Sequence, residues 1–456
     1  MKKSKLAKKS EGELDGVDMI SNLPDHILHL ILSRLEGTQQ SIRSSILSRR
    51  WRYLWTSVPS IDISYVRRLD HLPEWDSNRF REFVYWLFLN KPQHLESFRL
   101  WCANINSMLT IRHWIHAAVM RKVKLLDLMF CPIDESEDIR VPHSLVTCGS
   151  LEVLKLCLLG CRLCLPNITG FQALRVLELT QVDLFGDDLL KYFLEGCPLL
   201  EDLSLRDCSA YSLVISSPKL KNLRIDNREE VTDEDLDLDW KMCLSLTISC
   251  PKLVYLKLTG YVAMKFLFDS LYSLKKAVIH AQDLFRFEES TDDLFRNMSK
   301  VESLSISLLC VEQYYWSDED EPISLPNLKT LELKVDALHM LIPFLKCLPD
   351  LVSLHLIFPK NVYGLDMWNQ DEASAATMSI LTRHLKKVEF LEFDEEKPKL
   401  DLARALLEHG NELEGMVFSW GDETRFHKRS MKTMNRVSKF YKASSVVKLR
   451  SVIKVE

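Results

Sequence analysis

Glycine is scarce in this chain, with 13 residues in 456. Nucleotide- and dinucleotide-binding folds need closely spaced glycines where backbone approaches phosphate, and neither a G-x-G-x-x-G run nor a phosphate loop is present. Apolar runs are short. None approaches the roughly 18 consecutive residues of a membrane span. The opening MKKSKLAKKSEGELDG carries the charge of an export signal without its apolar stretch. Charge of one sign is also lacking, since 59 Lys and Arg face 64 Asp and Glu, a net of −5. That balance exerts no overall pull toward nucleic acid or anionic membrane. The sequence holds no G-x-S-x-G elbow and no H-E-x-x-H helix. The twelve cysteines run from Cys102 to Cys347, mostly beside leucines. They are expected to be reduced, buried, small hydrophobes of an intracellular protein. The tight group Cys157, Cys161 and Cys164 lacks the second ligand pair of a zinc site. The expectation is therefore a non-catalytic protein with no metal and no cofactor.

What is present is a folded composition, 46% apolar and 27% charged, long enough for two or three domains. Residues 1–17 read as a disordered basic tail. Their five lysines at positions 2–9 fit a solvated tail or a nuclear import signal.

A helical module is expected over 18–60. Ile20-Ser21-Asn22-Leu23-Pro24-Asp25 looks like a helix start, with proline where a missing N–H costs nothing. Ile27, Leu28, Ile31, Leu32 and Leu35 then recur at helical spacing, and Gly37 is expected to stop that helix. Ile42, Ile46 and Leu47 form a second stripe, followed by the aromatic and basic segment Ser48–Trp55. Three short helices bury too little to stand alone. On this pattern they either face a partner or cap the domain that follows.

The run ISNLPDHILHLILSRLEGTQQSIRSSILSRRWRYLW resembles an F-box, the docking module of substrate adaptors in cullin-RING ubiquitin ligases. Leu23-Pro24, Ile27-Leu28 and Ile31-Leu32 resemble its first helix. Ile42-Arg43, Ile46–Trp51 and Leu54-Trp55 resemble the rest, with Trp51 and Trp55 at the family's tryptophan positions. It is most similar to the large plant class. One departure is the link Leu35–Gln40, where the family commonly has a proline. The resemblance implies a Skp1-like partner held by Leu23, Pro24, Ile27, Leu28, Ile31, Leu32, Ile42, Leu47, Trp51, Leu54 and Trp55. The pattern does not divide this set between docking and the module's own core.

After an expected helical linker at 61–91, the motif L-x-x-L-x-L recurs over 92–380 at mostly 20–28-residue spacing. Examples are Leu95/Phe98/Leu100, Leu154/Leu156 after Leu151, and Leu200/Leu203/Leu205. A weaker copy is Leu274/Ala277/Ile279, and late ones are Val388/Leu391/Phe393 and Leu413/Met416/Phe418. That is the period of leucine-rich repeats, one short strand per unit, with both leucines of L-x-L pointing inward. Prolines such as Pro198, Pro218, Pro251, Pro326 and Pro349 are expected to hold an extended approach to each strand. Segments such as Leu189–Leu194 are expected to supply helices for the convex side. Outward strand residues Glu152, Lys155, Arg175, Glu178, Glu332 and Lys334 are candidate substrate contacts or plain solvated surface. Two acidic insertions, 226–237 and 316–321, read as surface loops that can also steer a basic partner.

Residues 381–456 are expected to form an atypical cap on the last repeat. Leu385–Phe418 and Val437–Ser444 are similar to the FBD region of plant F-box proteins. Basic residues from Arg425 to Lys439 come with no nucleic-acid reader motif. The fold expectation is thus α+β and multidomain, a three-helix F-box followed by an irregular α/β leucine-rich-repeat solenoid. By the resemblance, the chain is a non-catalytic adaptor of a Skp1–cullin–F-box ligase, recruiting an unknown protein substrate in the nucleus and/or cytoplasm. The alternative is a non-degradative repeat scaffold, and neither involves a membrane.

Overall fold

A computed structural model describes residues 20, 23–35, 37–64, 77–91, 94–105, 108–132, 138–166, 170–186, 189–227, 243–263, 265–269, 271–281, 294–308, 325–335, 340–348, 350–359, 375–394, 396–420 and 426–453. The basic tail, the second acidic insertion and the first one from Arg228 onward lie outside the described residues.

Within them, fifteen strands pair in chain order into one sheet, from Ser60–Ser64 to Lys448–Ile453. Neighbours are parallel throughout. The repeat motif explains this register. Leu203 and Leu205 lie beside Leu177 and Leu179 on one side and Leu223 and Ile225 on the other. All six are 0–1% exposed. Parallel strands need long crossovers, and each repeat supplies one, so inward residues stack in continuous rows. Burying each such leucine contributes about 1.5–3 kcal/mol.

The sheet starts earlier than expected. Ser60–Ser64 is its first strand and pairs with Ser97–Ile105, so 61–91 is not simply a helical linker. Val58, Ile61 and Ile63 are all buried and repeat the L-x-x-L-x-L spacing across the end of the helical module. Among the described residues there, Ser77–Asn90 is helix. The late copy at 388 is also shifted. Val388 and Phe390, not Leu391 and Phe393, align with Leu354 and Leu356, which makes the motif Leu385/Val388/Phe390. Phe393 is nonetheless buried, in edge contact with Phe390 and Phe418. Two aromatics three positions apart obscured which one begins the inward row.

The prolines act differently from the expectation of an extended approach. Leu200 N donates to Cys197 O across Pro198, Leu253 N to Cys250 O, and Leu328 N to Leu325 O. Each proline thus occupies the second position of a tight turn, where its fixed φ is already correct. The opposite side of the solenoid is only partly helical. Leu189–Glu195 is a helix as expected, but Ser212–Ser216, Ser245–Ser249 and Lys265–Asp269 form a second parallel sheet. Scarce glycine leaves its mark at turns. Gln181, Asp207 and Glu392, each directly after a strand, hold φ of 48–54° without being glycine, at a cost of about 1–3 kcal/mol each.

Candidate functional site

The N-terminal module consists of α1 (Asp25–Ser33), α2 (Gly37–Arg43) and two 3-10 turns, Ser44–Ile46 and Trp51–Ser57. Pro24 is the residue before α1, at φ −57° and ψ 148°, and its carbonyl accepts from Ile27 N and Leu28 N. Gly37 does not stop α1, which ends at Ser33 with Arg34 capping it. It opens α2 with φ +77°, a conformation that suits glycine. Arg50 Nη2 reaches Asp25 Oδ1 at 2.5 Å and ties the third segment to the first. That guanidinium also holds the Asp25 carboxyl below its usual range.

Apolar residues of the module divide into two sets. Leu28, Leu32, Trp51 and Trp55 are at most 3% exposed. Leu23, Leu35, Ile42 and Leu54 are partly buried against them. By contrast Leu30, Ile31, Ile46, Leu47 and Tyr53 are 51, 37, 88, 63 and 70% exposed. Five large apolar side chains thus lie outside the core of the module within residues 30–53.

The module is fastened to the sheet. Asp62 N donates to Thr38 Oγ1 at 2.8 Å. Trp55 stacks on Trp86 of α3 (Ser77–Asn90), centroids 5.1 Å apart. Lys91, buried just after α3, donates to the carbonyls of Trp55 at 2.7 Å and Val58 at 2.9 Å. Burial lowers its pKa to about 8.

The outward strand surface varies along the sheet. Near the module its central row is Asp62, Arg99, Asp127, Lys155 and Glu178. Arg99 bridges Asp62 and Asp127, Trp101 Nε1 donates to Asp127, and Lys155 pairs with Glu178 at 2.8 Å. Midway, Arg224 and Lys276 flank the ring of Tyr255 at 5.1 and 5.8 Å. Farther on the row reads Ser305, Glu332, His355 and Glu389. There Ser305 donates to Glu332 at 2.7 Å and His355 Nδ1 meets Glu389 at 3.0 Å.

A family model described as At1g61320/AtMIF1, LRR domain, matches residues 90–455, and the F-box domain model matches residues 20–62. The chain belongs to the F-box/leucine-rich-repeat family. F-box/FBD/LRR-repeat protein At1g78750 of Arabidopsis thaliana is 28% identical over 461 residues, covering 94% of this chain and 96% of the relative. F-box/LRR-repeat protein 13 from the same plant is 30% identical, covering 70% and 77%. F-box/FBD/LRR-repeat protein At5g22660 is also 30% identical, covering 75% and 77%.

On this F-box/LRR scaffold the sequence-predicted residues part company. Of the docking set, Pro24 and Leu47 are exposed and Ile31 is borderline, while Leu28, Leu32, Trp51 and Trp55 face inward. The exposed Leu30, Ile46 and Tyr53 lie outside that set, although Ile46 was part of the second apolar stripe. Leu30 lies off the regular stripe, and Tyr53 sits in a 3-10 turn where helical spacing fails. Lys155, Glu178, Glu332 and Lys334 lie on outward strand positions. Glu152 and Arg175 do not. They stand just before their strands in a backbone ladder, Arg175 N donating to Glu152 O and Glu201 N to Arg175 O. Arg175 and Lys221 both pair with Glu201, at 2.9 and 2.8 Å. Lys221, then Arg175, hold the Glu201 carboxyl below its usual range.

Ten cysteines among the described residues are free thiols. Burial pushes Cys102, Cys197 and Cys208 up to about 12, which suppresses the reactive thiolate. Among the described residues no group of His, Cys, Asp and Glu is placed to hold a metal ion. No described helix is long and apolar enough to cross a membrane.

Proposed function

We propose that this F-box/LRR chain is the substrate-recognition adaptor of an SCF-type ubiquitin ligase. The observation carrying this reading is the exposed apolar set Leu30, Ile31, Ile46, Leu47 and Tyr53 on an F-box whose core is already complete. In this reading Pro24, Leu30, Ile31, Ile46, Leu47 and Tyr53, helped by the half-buried Leu23, Ile27, Ile42 and Leu54, dock a Skp1-like subunit and through it a cullin-RING core. Leu28, Leu32, Trp51 and Trp55 support that face from within. The outward strand surface holds a protein substrate, with Lys155, Glu178, Glu332 and Lys334 among its contacts. Ubiquitin transfer is then promoted by proximity, since tethering raises the effective concentration of a substrate lysine at the charged conjugating enzyme.

The functional division is a docking module at 18–60, a repeat solenoid, and a C-terminal segment from about 381 that acts as its cap. Helices Lys397–His409 and Phe426–Val437 precede the last strand there. Action within such a ligase places the protein in the nucleus and/or cytoplasm. The second reading, a non-degradative scaffold, is favoured by one contact. Thr38 engages the first strand through Asp62 N, so the helices also serve as an N-terminal cover.

Co-purification with a Skp1-like protein separates the two. The Ile31→Asp, Leu47→Asp double variant loses the partner while keeping its melting temperature if the adaptor reading holds. Retention of the partner by that folded variant, or no partner for the wild type, sinks it.

A further inference from the structure

Beside the seam between the F-box and the first strands lies an open pocket of about 190 Å³. Its wall carries the cations Lys91 and Arg99, the carboxylate of Asp62, and the hydroxyls of Thr38, Ser60 and Ser97. Ser60 and Ser97 are register partners across the first two strands and lie on its sheet side. Arg99 is balanced by Asp62 at 3.1 Å and Asp127 at 2.8 Å. Lys91 is not balanced in this way. The residue is 7% exposed, its ammonium donates to two neutral carbonyls, and it lies 5.2 Å from the centre of the Trp55 ring. A buried ammonium held only by neutral groups favours an anion beside it. Thr38 Oγ1 already accepts from Asp62 N, so its own O–H is available to donate.

We propose that this pocket binds a small oxyanion, either inorganic phosphate or the phosphoryl group of a metabolite. Lys91 supplies the compensating charge, and Thr38, Ser60 and Ser97 donate hydrogen bonds. The ligand then touches α2, the end of α3 and the first two strands at once, and stiffens the attachment of the F-box to the solenoid. Binding of this kind stabilises the folded chain by mass action.

The test is calorimetric titration of the full chain with inorganic phosphate and separately with glycerol phosphate, chloride balancing the ionic strength. Melting temperature is followed in parallel. Wild type binds at least one of them and melts higher, whereas Lys91→Met and the Ser60→Ala, Ser97→Ala pair bind at least tenfold more weakly. Tight glycerol phosphate binding identifies a metabolite's phosphoryl group, and binding of inorganic phosphate alone identifies the free ion. Absence of binding by both at millimolar concentration overturns the proposal, as does equal affinity in the serine pair. If Lys91→Met fails to fold, the serine pair decides.

Discussion

Leu203 in the solenoid is 0% exposed and touches inward rows on both sides, whereas Leu47 in the F-box is 63% exposed. The same side chain meets opposite fates because the two regions differ in what they can bury. A repeat strand has a neighbour on each side and its leucines close a continuous row. The F-box is about forty residues long, and four large residues, Leu28, Leu32, Trp51 and Trp55, already fill its interior. Leu23, Leu35, Ile42 and Leu54 pack partly against them, and Leu30, Ile31, Ile46, Leu47 and Tyr53 have no inside left to occupy. In the solenoid, then, apolar character reports stability, whereas in the F-box part of it stays on the surface, where the proposed function gives it a partner.

The sharpest way to break this contrast is to truncate both kinds of leucine. Leu203→Ala should cost about 2–5 kcal/mol, as large-to-small changes in packed cores do, while Leu47→Ala should stay within about 0.5 kcal/mol. Urea unfolding monitored by circular dichroism measures both, and similar losses at the two sites would erase the distinction. The binding counterpart runs the other way. Leu47→Ala should weaken a Skp1-like partner by about 2 kcal/mol if it is a hot spot, and Leu203→Ala should leave the affinity of the still-folded fraction intact. Titration calorimetry reads that difference.

A smaller effect lies at the join. The depressed pKa of Lys91, about 8 against 10.5, means that between these values the unfolded chain binds the proton the folded chain has released. Folding stability therefore rises with pH across that window, and the burial penalty is fully present below pH 8. Wild type should gain on Lys91→Met between pH 8 and 10.5 in thermal melts. A flat difference would show that the lysine is not desolvated. The smallest effect belongs to the strand surface. Breaking the half-exposed Lys155–Glu178 pair with Lys155→Ala should cost only about 0.2–1 kcal/mol. A larger loss in urea unfolding would make that pair structural and remove it from the candidate substrate contacts.

Much of this could be read without coordinates. L-x-x-L-x-L spacing marked most strands of the sheet, because alternation along a strand has one period and fixes which side chain faces in. It failed where that period was ambiguous. At 385–393 the residues Val388, Phe390, Leu391 and Phe393 allow two registers, and only pairing with Leu354 and Leu356 selected one. It also failed at Val58, Ile61 and Ile63, where a sheet strand begins within the end of the F-box. The second sheet of Ser212–Ser216, Ser245–Ser249 and Lys265–Asp269 escaped notice because short apolar runs read equally well as helix or strand.

Sequence alone determined the family, the order of its parts and the inward leucine rows, since these depend on local motif and period. Tertiary structure alone decided which F-box residues remain outside, that Glu152 and Arg175 belong to a ladder before the strands, and that Lys91 lies buried against Trp55 at the wall of a polar pocket. Those outcomes depend on which surfaces meet across dozens of residues. No local pattern records the space left over when α2, α3 and the first strands pack together.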